Sequence, residues 1–281
     1  MTKLTLSVLV ITCLSFVACN SDQDKTAATN NPSDSLSIET PGLAEFEFTS
    51  IVLNMPTPLD ELSDMNNDGI QFDPELLAPL ENASSHEATA AIAINCAMYL
   101  VDTTYQAVFH QTEQLMAYSN TAHNLAQKIE LADLFDADIK QNMEASMEDQ
   151  ATLQNQIEQA LEHMENYLTE NDKLVNATQM LIGSWVEVQY LLTQSMVKLS
   201  EKDIAQDLKG HVFAQRNHLD NLLILIEEFK NEAGLHSEHD KLLVLEQSFQ
   251  KIHESDEVNH EILVELAQEI KEIRTDLLGM N

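Results

Sequence analysis

Positive charge is what this chain most lacks. Lys and Arg number 14 against 47 Asp and Glu, a formal net charge of −33 over 281 residues. Duplex nucleic acid is excluded as a partner, because proteins hold it mainly by placing cations on phosphates. An anionic membrane surface is a poor match for the body of the protein for the same reason. A solvated acidic surface, or one that attracts cations and basic partners, fits the balance. Glycine and proline are sparse at 6 each, while Leu, Ala, Met, Glu and Gln are plentiful. Those side chains lose little rotamer freedom in a helix, so the mixture favours helices. No G-x-S-x-G, H-E-x-x-H, P-loop or Rossmann fingerprint occurs. No Ser or Cys sits in a recognisable nucleophile context, so no catalytic residue is assigned. Hydrophobic residues make up 44% of the chain, enough for a substantial core.

Cysteine is also scarce, at 3 residues, and one of them is informative. Met1 to Lys3 forms a short n-region with one positive side chain, and Leu4 to Val17 is an apolar h-region too short to be a comfortable membrane span. It ends in Phe16-Val17-Ala18-Cys19. The alternatives are an ordinary secretory signal cut near Ala18 and a lipoprotein signal. The ending resembles a bacterial lipobox, with Phe16 at its first position. That resemblance implies a signal peptide over residues 1–18, cleavage before Cys19 and lipid attachment to it. Each buried CH2 of such a lipid adds about 0.8 kcal/mol of membrane affinity. Cys13 leaves with the signal, so Cys96 alone remains and no intramolecular disulfide is expected. Residues 19–50, rich in Ser, Asp, Thr, Asn and Pro, read as a disordered, flexible tether. Asp22 and Asp24 resemble the acidic export signals of surface lipoproteins in Bacteroidota, and Asn20 is not the Asp that retains lipoproteins at the inner membrane. Both point to the outer membrane.

The domain is expected over residues 51–281 as an all-α, antiparallel bundle of about five long helices. Their spans are placed at 85–130, 134–170, 173–200, 202–232 and 238–278, with turns at Asn171-Asp172 and Ala233-Gly234. The last carries Leu242, Leu245, Phe249, Ile252, Leu263, Leu266, Ile270, Ile273 and Leu277 in a heptad series. The first and third are apolar nearly all round and belong at the centre of the bundle.

Polar residues inside those two helices need partners. Asn95, Tyr99 and Asp102 share one face of the first, while Gly183, Glu187, Tyr190 and Gln194 share one face of the third. Facing each other, they form either a hydrogen-bond network that sets helix register or a pocket for a small polar ligand with Trp185 as a wall. The segments Ala93-Ile-Asn95-Cys-Ala97-Met-Tyr99-Leu100-Val-Asp102-Thr-Thr-Tyr105 and Leu181-Ile-Gly183-Ser-Trp185-Val-Glu187-Val-Gln-Tyr190 carry a further likeness. They resemble the A-L-N-L-G-V-Y-G-A-D-L-S-Y and G-G-W-I-E-x-x-Y motifs of a family of uncharacterised helical lipoproteins of Bacteroidota. The resemblance implies a fold and a location, and no activity. Ala97, Leu100 and Ile182 stand where that family has glycine, which bears on how closely the helices approach.

Three other patterns carry chemistry. In DMNNDGIQFDPE, Asp64, Asn66, Asp68, Ile70 (through its carbonyl) and Glu75 occupy calcium-loop positions. The competing reading is a helix stop with Gly69 as its left-handed cap and a new start at Asp73-Pro74. No cofactor is expected beyond weak calcium at this loop, with zinc or another transition metal at the histidines as the competing metal reading. His211 with His218, and His253 with His260, pair on helix faces, and Glu257 to His260 spells E-x-x-H, but solvated histidines are the expectation. Asp256 and Asn259 are expected to form a buried polar layer with Gln215 and Arg216. Met143, Met147 and Met164 could line a client groove of a periplasmic chaperone or adaptor. The reading these patterns favour is a lipid-anchored, non-enzymatic binding or structural protein. Its partners are the membrane through Cys19 and an unidentified protein or small ligand; a sensor or enzyme using the polar face is the rival.

Overall fold

The computed structural model describes residues 43–52, 54–134, 141–142, 145, 149–170, 173–232 and 234–280. Cys19, the signal peptide, most of the tether, Asn171, Asp172, Met143 and Met147 lie outside the described residues.

The fold is all-α. The helices are α1 (Leu43–Val52), α2 (Pro58–Asn67), α3 (Thr89–Val108), α4 (Leu115–Lys128), α5 (Gln150–Glu170), α6 (Leu174–Met196), α7 (Gln206–Glu228), α8 (His236–Phe249) and α9 (His260–Leu277). Short 3-10 turns at Pro74–Leu76, Leu80–Ser84 and Ser255–Glu257 interrupt the connections. Helices α3 and α6 share the most extensive contact and form the centre. Both are buried almost all round, as apolar helices in a bundle must be. Helix α4 packs on α3, α9 on α6, α2 and α5 on both, and α8 on α7.

Gly183 sets the central crossing. A Cβ there would lie 2.1 Å from the Ile94 carbonyl oxygen, so no larger residue fits while the two backbones touch. The C-terminal ends of α3 and α6 also meet, because Asp73 accepts a bond from Lys198 while its amide donates to the Tyr105 hydroxyl. The central pair therefore runs parallel, and the chain between them makes a long crossover.

Two expected helices are corrected. The span 85–130 is a hairpin broken at Phe109–Gln114. His110 takes φ 60°, and Gln111 N donates to Gln106 O at 2.7 Å, a Schellman closure without glycine. Glu130, φ 59°, ends α4 the same way, with Leu131 N on Ala126 O at 2.9 Å. A non-glycine residue in that region costs about 1–3 kcal/mol. The span 238–278 is likewise a hairpin. Ile252 and Val258 turn inward at 0% exposure. The Asn259 side chain then caps α9 by accepting from Glu261 N at 3.0 Å and Ile262 N at 3.1 Å. Lys251–Glu265 and Ser248–Glu269 contacts hold the two arms antiparallel. Asp256 is exposed and accepts from Gln206 at 2.7 Å, so the polar layer expected of Asp256 and Asn259 does not form.

Helix α1 occupies residues whose composition reads as tether. Phe48 is buried, with Ile51 and Val52 packed against the core. Gly234 does mark a turn, at φ 84°.

Candidate binding cavity

The polar face of α3 is a set of staples for an irregular segment. Residues 73–79 contain Pro74 and Pro79 and run largely outside helices, so their buried backbone groups have no internal ladder. Side chains supply the partners. Tyr105 Oη accepts from Asp73 N at 3.0 Å, and Asp102 Oδ2 accepts from Ala78 N at 2.9 Å. Tyr118 donates to Ala78 O at 2.9 Å and Tyr99 to Pro79 O at 2.7 Å. Asn95 donates to Ala91 O at 2.9 Å and Leu277 O at 2.8 Å, fixing the end of α9 to α3.

Arg274 completes the cluster. Its Nε donates to Glu187 Oε2 at 2.7 Å, and its Nη2 donates to Glu187 Oε1 at 2.6 Å and to Leu76 O at 2.9 Å. Its guanidinium carbon sits 3.9 Å from the Tyr190 ring centroid, a cation–π contact. Burial and the neighbouring Glu187 carboxylate push the Asp102 carboxyl well above the usual range. Burial alone would lower the Arg274 pKa, but Glu187 more than reverses that. Sequence reasoning missed Arg274. The signal was there, since Leu263, Ile270, Arg274 and Leu277 lie on one buried stripe of α9 in a chain with few basic residues.

A cavity of about 530 Å3 lies on another side of α6. None of Asn95, Tyr99, Asp102, Glu187 or Tyr190 lines it, but Trp185 does. Its walls come from α1 and the following loop, α2, α3, α5, α6 and α7. Phe48, Leu100, Met164, Leu168, Met180 and Leu181 make them mainly apolar, and exposed Thr57, Asp60, Glu158 and Glu162 form a mouth. Met164 is thus part of a cavity wall.

One wall is polar. Trp185 Nε1 donates to Gln215 Oε1 at 3.0 Å, and Gln215 Nε2 donates to Glu61 Oε1 at 2.9 Å. An indole N–H only donates and a carboxylate only accepts, so the Gln215 amide is oriented by its neighbours. His218 Nδ1 lies 3.3 Å from Gln215 Oε1, and burial lowers its pKa, which favours the neutral ring. Glu61 is 7% exposed, and its other oxygen has no hydrogen-bond partner. That oxygen is 3.8 Å from His211 Nδ1. Burial raises the Glu61 pKa, with Asp64 and Asp60 adding to it, while Gln215 and His211 oppose the rise. Gln189, 1% exposed, also lines the cavity and has an unpartnered Oε1. Sequence reasoning missed Glu61, Gln189 and the role of Gln215, because α2, α6 and α7 meet only in the folded chain.

The DMNNDGIQFDPE stretch is folded as a helix stop. Gly69 takes φ 88°, Gly69 N donates to Asn66 O at 3.2 Å, and Ile70 N donates to Met65 O at 3.0 Å. Ile70 is buried, and the Asn66 side chain is turned to Val108 O at 3.4 Å. Asp64 and Asp68 approach His211 at 3.8 and 3.7 Å. Asp73 caps the following 3-10 turn by accepting from Glu75 N at 2.9 Å. Among the described residues no group of three or more His, Cys, Asp or Glu is arranged to hold a metal ion. The histidine pairs are dispersed: His260 faces Val197 O at 3.3 Å, and His253 N donates to Glu257 at 2.7 Å.

No family model, curated protein or solved structure matches the chain. No helix among the described residues is long and apolar enough to cross a membrane.

Proposed function

We propose that this chain is a lipid-anchored binding protein of the bacterial cell envelope, which takes a small molecule with an apolar body into the cavity beside Trp185. The cavity carries the binding half of this reading. Native cores pack to crystal density with few voids larger than a water. A space of about 530 Å3 walled by six structural segments is far larger than such a void, and it is the size of a small-molecule site. The Phe16 to Cys19 ending and the acidic residues after it support an anchor at the outer membrane. The α3 and α6 motifs support kinship with the helical lipoproteins of Bacteroidota. No catalytic step is assigned, because the polar groups at the cavity wall bond mainly to one another.

Trp185 is the single tryptophan, so its emission reports on the cavity alone. Titrating the full chain with neutral N-phenyl-1-naphthylamine is expected to give saturable energy transfer from Trp185, with one probe per chain. Transfer that rises linearly without saturating overturns the binding reading. For the anchor, metabolic labelling with palmitate is expected to mark the protein and to vanish in Cys19→Ser. Label that survives the substitution overturns it.

A further inference from the structure

We infer that the ligand of this cavity is a protonated alkylamine: a primary or secondary ammonium group on an apolar body. The inference rests on the binding reading above and names its ligand class. Three observations converge. First, the described lining includes the carboxylates Asp60, Glu61, Glu158 and Glu162 and neither Lys nor Arg. An anionic ligand would meet only repulsion there, and the net charge of −33 draws cations toward the protein from a distance. Second, two buried residues of the lining, Glu61 and Gln189, each carry an acceptor oxygen without a partner. Glu61 Oε2 and Gln189 Oε1 are each shielded from solvent without a hydrogen-bond partner, the nearest ring nitrogen to Glu61 Oε2 being His211 Nδ1 at 3.8 Å. A buried acceptor left unpaired is costly, and an N–H of a bound ammonium removes that cost. Third, the Trp185 indole stands in the same wall, one helical turn from Gln189 on α6 and bonded through Gln215 to Glu61. An indole face attracts a desolvated cation. The alkyl body then lies against Leu100, Met180 and Leu181.

His218 is the cavity's one basic side chain among the described residues, and its neutral state leaves the carboxylates unopposed. The unpaired acceptors separate two kinds of cation. A quaternary ammonium satisfies the charge and the indole but offers no N–H, so it binds more weakly than a primary amine.

The test compares four ten-carbon probes on the full chain by Trp185 emission at neutral pH: decylamine, decyltrimethylammonium, decanol and decanoate. Decylamine is expected to bind at one site, about tenfold tighter than decanol. Decyltrimethylammonium falls between them, and decanoate is weakest. Decanol or decanoate binding as tightly as decylamine overturns the ligand class while leaving the cavity as a binding site. If neither these probes nor the neutral naphthylamine saturates, the binding reading itself fails. Decylamine that adds at many sites without a saturating Trp185 signal is adsorption to an acidic surface and also overturns the proposal. Glu61→Gln and, separately, Gln189→Leu are expected to shrink the decylamine-to-decanol affinity ratio. An unchanged ratio in both folded variants overturns the assignment.

Discussion

Trp185 and Glu187 stand two residues apart on α6, and their polar groups belong to clusters of opposite character. Glu187 enters a buried network in which Arg274, Asp102, Tyr99 and Asn95 bond to backbone that cannot bond to itself, with Asp102 Oδ1 and Asn95 Oδ1 left unpartnered. Trp185 enters a chain through Gln215 to Glu61 that borders open space and leaves acceptors unpaired. The first cluster solves a folding problem set by Pro74 and Pro79. The second ties α2, α6 and α7 together at the edge of an open cavity. Both clusters hold unpaired acceptors, so a buried polar residue points to binding only where, as beside Trp185, it also borders open space.

The comparison breaks most visibly at Arg274. Arg274→Met leaves Glu187 buried without its cation and Leu76 O without a donor. It is expected to cost about 3–5 kcal/mol in urea unfolding followed by circular dichroism. Adding Glu187→Met should recover much of that loss, because the uncompensated charge goes with it. A double variant as unstable as the single one would mean that Leu76 O, not the ion pair, dominates the network.

Gly183→Ala comes next. The added methyl meets the Ile94 carbonyl, backbone that cannot swing away, and overpacking of this kind costs about 1–3 kcal/mol. A thermal midpoint unchanged from the parent would show that α3 and α6 can separate freely. Tyr99→Phe removes one staple only. It leaves Pro79 O without its donor at about 1–3 kcal/mol. Protease cleavage near residues 73–84 should rise in that variant more than elsewhere, since the segment loses a tie to α3.

The legible part of this fold is the part written as local pattern. The apolar surfaces of α3 and α6 placed them at the centre, and Asn95, Tyr99 and Asp102 stood out as polar groups needing partners. Gly69 and Gly234 marked stops because each takes positive φ. Helix breaks without glycine were not legible. His110 and Glu130 adopt the left-handed region as ordinary side chains, and tertiary packing offsets their strain. The turn from Phe249 to Asn259 is driven by burial of Ile252 and Val258, which a heptad series reads as continuous helix. The partners of the polar face were hidden for another reason: four of them are main-chain groups of Asp73, Leu76, Ala78 and Pro79, and backbone carries no sequence signature. The cavity was hidden because its polar wall joins residues far apart in the chain, with Gln215 and Glu61 separated by 154 positions.

Glu61→Gln is expected to have the smallest effect and the opposite sign, and it sharpens the contrast most. Burial raises the Glu61 pKa in the folded state. A carboxyl with a raised folded pKa contributes stability that is full below its unfolded pKa, about 4.3, and is lost as pH rises toward the folded value. Glutamine keeps an acceptor for Gln215 and has no charge to bury. At pH 4 the two proteins should therefore unfold at similar urea concentrations, and by pH 8 the variant should be the more stable. A loss of stability at pH 8 would place Glu61 with Glu187, as a charge the fold needs. A gain, alongside a weakened preference for decylamine, would show a carboxylate kept at the expense of stability, which is the usual mark of a residue retained for binding.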